Sequence, residues 1–336
     1  MSNIRRARPL TGLLLAVPLA LAACSSSAGG DSAGAAEAQT AAAAGGSEEL
    51  IPVTVGALPI VPTAALLYGV DNGIFEEHGL DVTLETGAGA ENFVAALVAG
   101  EFDFASVNTV SVMVALDKDV PITVTSGYSQ AWSDADGEDI SAVLAKPASG
   151  ITRPADLEGR TVALNQVNSA GMLSIREAVR LDGGDPDAVK FVEIKFPNAI
   201  AALESGDVDA IWEVEPFITI AQRGGAEVVS WNFLEASPGV STQIMVAEAG
   251  VDPALVEQFT TALTDVLEQA EGDAEGTRQS LVNLLEMDTA LAKSARMEHF
   301  TTAINVDAVA RFAELALEEK FIDEAVDMSA FPAAPE

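Results

Sequence analysis

Ala95-Ala96-Leu97-Val98-Ala99-Gly100-Glu101-Phe102-Asp103 and Ala201-Ala202-Leu203-Glu204-Ser205-Gly206-Asp207-Val208-Asp209 share the pattern A-A-L-x-x-G-x-x-D. The flanks of the two copies agree as well. Ahead of the first, the apolar run Val53 to Ala57 leads through a loop containing Pro59 and Pro62 into a helix expected from Thr63 to about His78. Gly79 takes the C-cap position, where a left-handed backbone suits glycine, and a strand follows over Leu80 to Leu84. Ahead of the second, a strand at Thr161 to Leu164 passes through a polar loop to a helix over Met172 to Leu181. Gly183 and Gly184 end that helix, and Val189 to Ile194 reads as the next strand. Gly79 lies 16 positions before Ala95, and Gly184 lies 17 before Ala201. Chance recurrence of an Ala-rich string does not bring matching caps and strands with it. The chain reads as a duplicated strand-helix-strand unit.

That order implies parallel pairing with right-handed crossovers. The expected fold is therefore α/β with two lobes, each a mostly parallel sheet flanked by helices. In such sheets a ligand sits beyond the carboxyl ends of the strands, where loops and helix N-termini meet. The two lobes should face each other across a ligand cleft. The chain crosses between them twice. The strand Pro121 to Tyr128 runs into the polar stretch Ser129 to Asp139 before Ile140 to Ala145 opens the second lobe, and Thr242 to Val246 returns. Residues 51–128 and 242–330 are thus assigned to lobe 1, including amphipathic helices near 253–270, 277–286 and 306–319. Residues 129–241 are assigned to lobe 2.

The start of the chain carries an address. Arg5, Arg6 and Arg8 precede the apolar run Leu10 to Ala20, which is too short to span a bilayer, and Leu21-Ala22-Ala23-Cys24 follows. The last four residues resemble the bacterial lipobox, which implies a lipoprotein signal over 1–23 and acylation of Cys24, the single cysteine of the chain. Residues 24–50 are mostly Ser, Ala and Gly, which cannot bury enough apolar surface to offset ordering, so they read as a lipid-anchored flexible linker. The expected location is the extracytoplasmic face of the cell membrane. More than one acyl chain is expected there, since a single chain holds weakly.

Charge excludes one class of partner. Removing Arg5, Arg6 and Arg8 from the 17 Lys and Arg leaves 14 against 51 Asp and Glu, a formal charge of −37. No basic run exists to follow a phosphate backbone, so nucleic acid is not an expected partner. Chemistry is equally sparse. His78 and His299 are the only histidines, and neither has a nucleophile or carboxylate at a recognisable spacing. A Gly-x-Ser-x-Gly elbow, a phosphate-cradling Gly loop and a Cys/His metal cluster are absent from the sequence. The sequence therefore gives no enzyme, metal or cofactor reading.

Candidate ligand contacts follow from the carboxyl-end rule. Pro59 and Ile60 lie in the loop after the first strand, and Asn108 and Thr109 open a helix running through Leu116, where such residues either cap the helix or touch a ligand. In lobe 2 the corresponding loop offers Asn165, Asn168, Ser169 and Gly171, each open to a capping or packing role as well. Asn198 follows the strand ending at Ile194, and Glu213 and Glu215 follow the strand Val208 to Trp212. Trp132, in the first crossover, could stack on a ligand; Trp212 ends an apolar strand and reads as core.

These residues also carry a family resemblance. Gly56-Ala57-Leu58-Pro59, Gly73-Ile74-Phe75-Glu76-Glu77-His78-Gly79-Leu80-Asp81-Val82 and Gly100-x-x-Asp103-Phe104 resemble solute-binding proteins of ABC importers. Pro154-Ala155-Asp156-Leu157-Glu158-Gly159-Arg160-Thr161-Val162-Ala163 and Gly206-Asp207-Val208-Asp209-Ala210-x-x-x-x-Glu215-Pro216-Phe217 are similar to the nitrate/sulfonate/taurine group, which also includes binders of thiamine-related pyrimidines. The resemblance covers roughly residues 51–320. It implies a type II-like periplasmic-binding-protein fold, a monomer that captures a small solute and presents it to an ABC permease and its ATPase. It also places Glu215 at the cleft. A sensor that docks on a receptor has the same sequence features. None of the 14 cationic residues falls in the cleft loops, so an anion would rely on helix N-termini and amides, whereas an amine or heterocyclic N–H would suit a cleft Glu.

Overall fold

The computed structural model describes residues 49–87, 89–133 and 137–332. The signal segment, Cys24 and nearly all of the linker expected over 24–50 lie outside the described residues. The chain opens with β1 (Ile51–Ala57), α1 (Val61–Asp71), α2 (Ile74–Glu77), β2 (Leu80–Thr86), α3 (Ala90–Val98), β3 (Phe104–Asn108), α4 (Thr109–Asp117) and β4 (Ile122–Gln130). It continues with β5 (Ser141–Ala145), β6 (Thr161–Leu164), α5 (Ala170–Leu181), β7 (Lys190–Glu193), α6 (Phe196–Ser205), β8 (Ala210–Val214), α7 (Phe217–Arg223), β9 (Glu227–Ser230) and α8 (Asn232–Ala236). It returns through β10 (Ser241–Glu248) to α9 (Pro253–Gly272), α10 (Ala274–Leu285), α11 (Thr289–Ala292), β11 (His299–Phe300) and α12 (Val306–Glu318).

Two mixed sheets result, in the orders β11-β4-β10-β3-β1-β2 and β7-β6-β8-β5-β9. Their centres are the same pattern written twice. β1 pairs in parallel with β2 and β3, and β6 pairs in parallel with β7 and β8. In each sheet one antiparallel strand that arrives from the other half of the chain is inserted next, β10 beside β3 and β5 beside β8.

The repeated aspartate explains part of the sequence repeat. Thr54 donates its backbone N–H to Asp103 at 2.7 Å while the Asp103 N–H donates to the Thr54 carbonyl at 2.9 Å. Thr161 and Asp209 do the same at 2.8 and 2.9 Å. Each aspartate thus staples the helix-to-strand turn onto the neighbouring parallel strand. Gly100 and Gly206 sit just before it with φ of 70° and 84°, the left-handed conformation that closes a helix without a Cβ clash.

One expectation is corrected. The helix read as continuous from Thr63 to His78 is broken at Asn72 and Gly73, because Gly73 adopts φ 72° and restarts the chain as α2. The last amphipathic helix, assigned to lobe 1, packs on α4 of that lobe and on α5 of the other. Arg311 donates to Glu177 at 2.9 Å, and Arg176 and Arg180 both pair with Glu319, so α12 straps the two lobes together. The core reflects this. One apolar cluster runs from Leu58, Val107 and Val110 of the first lobe to Val143, Trp212 and Phe312, while separate clusters fill the far faces of the two sheets. No helix among the described residues is long and apolar enough to cross a membrane.

Candidate functional site

A cleft lies between the two sheets at the carboxyl ends of their parallel strands. Its apolar walls are Leu58, Ile60, Ile140, Phe196, Trp212, Val214 and Phe233, and its polar lining is Asn108, Asn165, Ser169, Thr242, Gln243 and Glu298, with Ala170 and Gly171 at the start of α5. The gap is narrow, a cavity of about 20 Å³. The lobes touch across it. The Ala170 N–H donates to Asn108 Oδ1 at 3.3 Å, and the Val61 N–H donates to the Glu215 carbonyl at 3.3 Å. Further contacts join the lobes: Lys195 Nζ lies 3.9 Å from Glu91, and Arg223 donates to the Ala290 carbonyl and Ser294 Oγ at 2.9 and 2.6 Å.

Aromatic rings build the lobe 2 wall. Trp212 packs between Phe196 and Phe233, with ring centres 5.7 and 6.0 Å away, and its Nε1 donates to Ser141 Oγ at 2.8 Å. Gly171 is required by this packing. A Cβ there would stand 2.7 Å from three Trp212 ring atoms, closer than any real contact.

Five of the expected ligand residues, Ile60, Asn108, Asn165, Ser169 and Gly171, come together in this lining. Asn108 also caps α4, accepting from the Ser111 N–H at 3.0 Å. The others lie elsewhere. Pro59 is half-buried beside the loop but outside the lining, and Thr109 is buried, its hydroxyl given to the Ser241 carbonyl. Asn168 is an exposed turn residue with φ 50°, and Asn198 is exposed on the first turn of α6. Trp132 turns outward against His299 and donates Nε1 to the Met297 carbonyl at 2.9 Å.

Glu213, expected after the strand but lying within β8, and Glu215, just past its end, also fall outside the lining. Side chains alternate along a strand, so with Trp212 facing the cleft Glu213 faces the opposite side, the side of Ile211, Leu203 and Ile218. Both its oxygens are buried without a partner, and burial pushes its carboxyl well above the usual range. Glu215 is fully buried and turned toward Arg296, whose Nη1 donates to Oε1 at 2.9 Å; Thr219 adds its hydroxyl at 3.0 Å and its N–H at 3.2 Å. Burial raises the Glu215 carboxyl, and these donors oppose the rise.

The carboxylate in the lining is Glu298. It is 3% exposed and accepts from Thr242 Oγ1 at 2.9 Å. Burial pushes it to about 7, the Ser129 and Thr242 hydroxyls oppose that, and nearby Asp139 and Glu215 add to it. Asp139, also fully buried, is raised to about 6 by burial against the N–H groups of Ile140, Trp132 and Leu234, and its Oδ2 has no partner. Among the described residues, the lining contains no Lys, Arg or His, and no group of His, Cys, Asp and Glu is arranged to hold a metal ion.

The sheets and cleft define a two-lobed periplasmic-binding-protein fold. A model of the NMT1/THI5 like family matches residues 62–275, and the chain belongs to that family. The taurine-binding periplasmic protein of Escherichia coli is 26% identical over 155 residues, 46% of each chain, so the chain matches about half the length of that relative. The alkanesulfonate-binding protein of Xanthomonas axonopodis pv. citri, solved with bound MOPS, superposes with a TM-score of 0.70 over 85% of this chain and 99% of its own, at 16% identity. The periplasmic nitrate-binding protein of Synechocystis PCC 6803 superposes with a TM-score of 0.69 over 84% of this chain and 85% of its own, at 12% identity. These structural likenesses carry the fold.

Proposed function

We propose that this chain is the extracytoplasmic solute-binding component of an ABC importer, a binding protein and not an enzyme, that captures a small polar organic solute between its lobes. The observation that carries the reading is the cleft itself. Two strand edges, six polar side chains and an aromatic wall converge on one gap whose rims touch, which is the arrangement for enclosing a small molecule. Entry of a solute would part the Ala170–Asn108 and Val61–Glu215 contacts, and closure would restore them around it. The names of the relatives, taurine-, alkanesulfonate- and nitrate-binding, support an importer for solutes of that type.

A permease with its ATPase would be the partner, and acylated Cys24 with its linker would hold the monomeric body at the membrane. The same cleft would serve a sensor docking on a receptor. A second solute reading, a thiamine-related pyrimidine or another N-heterocycle or amine, is favoured by Glu298, the sole ionisable side chain in the lining among the described residues.

A thermal-shift screen of sulfonates, nitrate, pyrimidines and amines tests the solute-binding reading, since a ligand of the folded state stabilises by mass action. A saturable rise in melting temperature is expected for at least one class, and no rise with any class would overturn it.

A further inference from the structure

We propose that the cleft selects an organic cation, a small molecule with a flat apolar body and a positively charged N–H group that Glu298 accepts. This rests on the solute-binding reading and specifies the charge of the solute. Glu298 is on the wall of the gap, buried, and held in place by the Thr242 hydroxyl. The nearest ionisable neighbours deepen the negative field. Asp139 and Glu215 both act on Glu298, and the one guanidinium in the group, Arg296, is already engaged by Glu215 and Glu138 at 2.9 and 2.7 Å.

Lys195, next to the lining residue Phe196, donates to the Asn165 carbonyl at 3.0 Å and pairs with Glu91. An anion brought to the ionised form of Glu298 would thus meet like charge in a poorly solvated gap, with amide and hydroxyl donors as its sole compensation. A cation there meets its counter-charge, and at that depth pairing decides the sign of the interaction. In the same lining as Glu298, the rings of Trp212, Phe196 and Phe233 offer the apolar and π surface that suits a flat body and also attracts positive charge.

The purified full chain is titrated calorimetrically with benzylamine and 4-aminopyridine as cations, with benzenesulfonate, butanesulfonate and nitrate as anions, and with benzyl alcohol as the uncharged shape control. The cations are expected to bind more tightly than every anion. Glu298→Gln, which keeps an acceptor for Thr242, is expected to weaken cation binding by about tenfold or more, and by a clearly larger factor than it changes benzyl alcohol binding. The preference of the unmutated chain needs no variant, so the comparison stands even if Glu298→Gln folds poorly. Tighter binding of a sulfonate or nitrate would overturn the cation proposal and leave solute capture intact. Full cation affinity in a folded Glu298→Gln protein would also overturn it. Failure of both charge series to bind would count against solute capture and the cation proposal together.

Discussion

Arg296 Nη1 donates to Glu215 Oε1 at 2.9 Å, and through Nη2 and Nε the same guanidinium holds Glu138 at 2.7 and 2.9 Å. One side chain from the segment before β11 therefore fixes a carboxylate of the second lobe and one of the crossover. Glu215 is wholly buried, while Arg296 keeps 23% of its surface in solvent over the Trp231 ring. Removing the guanidinium would leave a buried carboxylate unpaired, which costs about 3 kcal/mol at the lower end of the range for such pairs. Arg296→Met is expected to lower stability by that order, read as the denaturant midpoint of the unliganded chain. A change below about 0.5 kcal/mol would show that Glu215 does not depend on the pair.

The aspartate staples of the two lobes predict a matched pair of effects. Asp103 and Asp209 each accept from a threonine N–H at 2.7 and 2.8 Å, at partly exposed positions. Asp103→Ala and Asp209→Ala should each cost about 1–2 kcal/mol, and the double variant should cost their sum, since distant sites without shared partners add. Chemical denaturation of the three variants checks this. A strongly non-additive double variant would mean that the two turns are coupled through the lobe interface.

How far the sequence could be read follows from these residues. The duplication, the caps and the strand order were legible because each depends on local spacing, and Asp103 and Asp209 mark equivalent turns in both copies. Half the cleft was legible by the same means, since Asn108 ends β3 and Asn165 directly follows β6, both strands of the parallel sets. The missing half comes from strands that run the other way. Ile140, Thr242 and Gln243 lie at or just before the amino ends of β5 and β10, and antiparallel insertion brings those ends to the same edge; Gln243 stands opposite Asn108. Glu298 arrives likewise just ahead of β11, whose His299 pairs with Gln130 at the end of β4. Counting both ends of the inserted strands would have found these residues. Trp212 and Glu213 exchange the roles expected of them because β8 continues past Trp212 to Val214, and alternation along it turns Trp212 to the cleft and Glu213 away.

Gly171 predicts a test of the wall. A methyl at this position needs space that the Trp212 ring occupies at 2.7 Å, and the ring is held by Phe196, Phe233 and its bond to Ser141. Gly171→Ala is expected to cost about 1–3 kcal/mol by overpacking and to shift the tryptophan emission. Solute affinity should fall with it. Unchanged emission and stability would mean that α5 moves away freely and that the wall is not rigid.

Anchoring is tested at Cys24. Cys24→Ala is expected to release the protein into the medium or to leave an unprocessed precursor, read by fractionation and by the mass of the mature chain. Fractionation identical to the parent would remove the lipid from the proposal.

The last prediction concerns pH. Facing Glu298 are the carboxyls of Asp139 and Glu215, the phenol of Tyr128, and the hydroxyls of Ser129 and Thr242. Burial raises Glu298 from 4.5 to about 7 and Asp139 from 3.8 to about 6, so between those values the folded chain holds protons that the unfolded chain has lost. The corresponding stability is fully present at and below about pH 4 and is lost as pH rises through about 7. An organic cation acts in the opposite sense, since it pairs with the ionised Glu298 and draws its carboxyl down. Benzylamine, itself protonated throughout this range, should therefore bind more tightly as pH climbs from about 5 to 8 and should release protons to the buffer on binding. Calorimetry in two buffers of different ionisation enthalpy measures that release directly. Glu298→Gln should abolish most of it, and pH-independent benzylamine binding in the unmutated chain would show that Glu298 is not the group that meets the ligand.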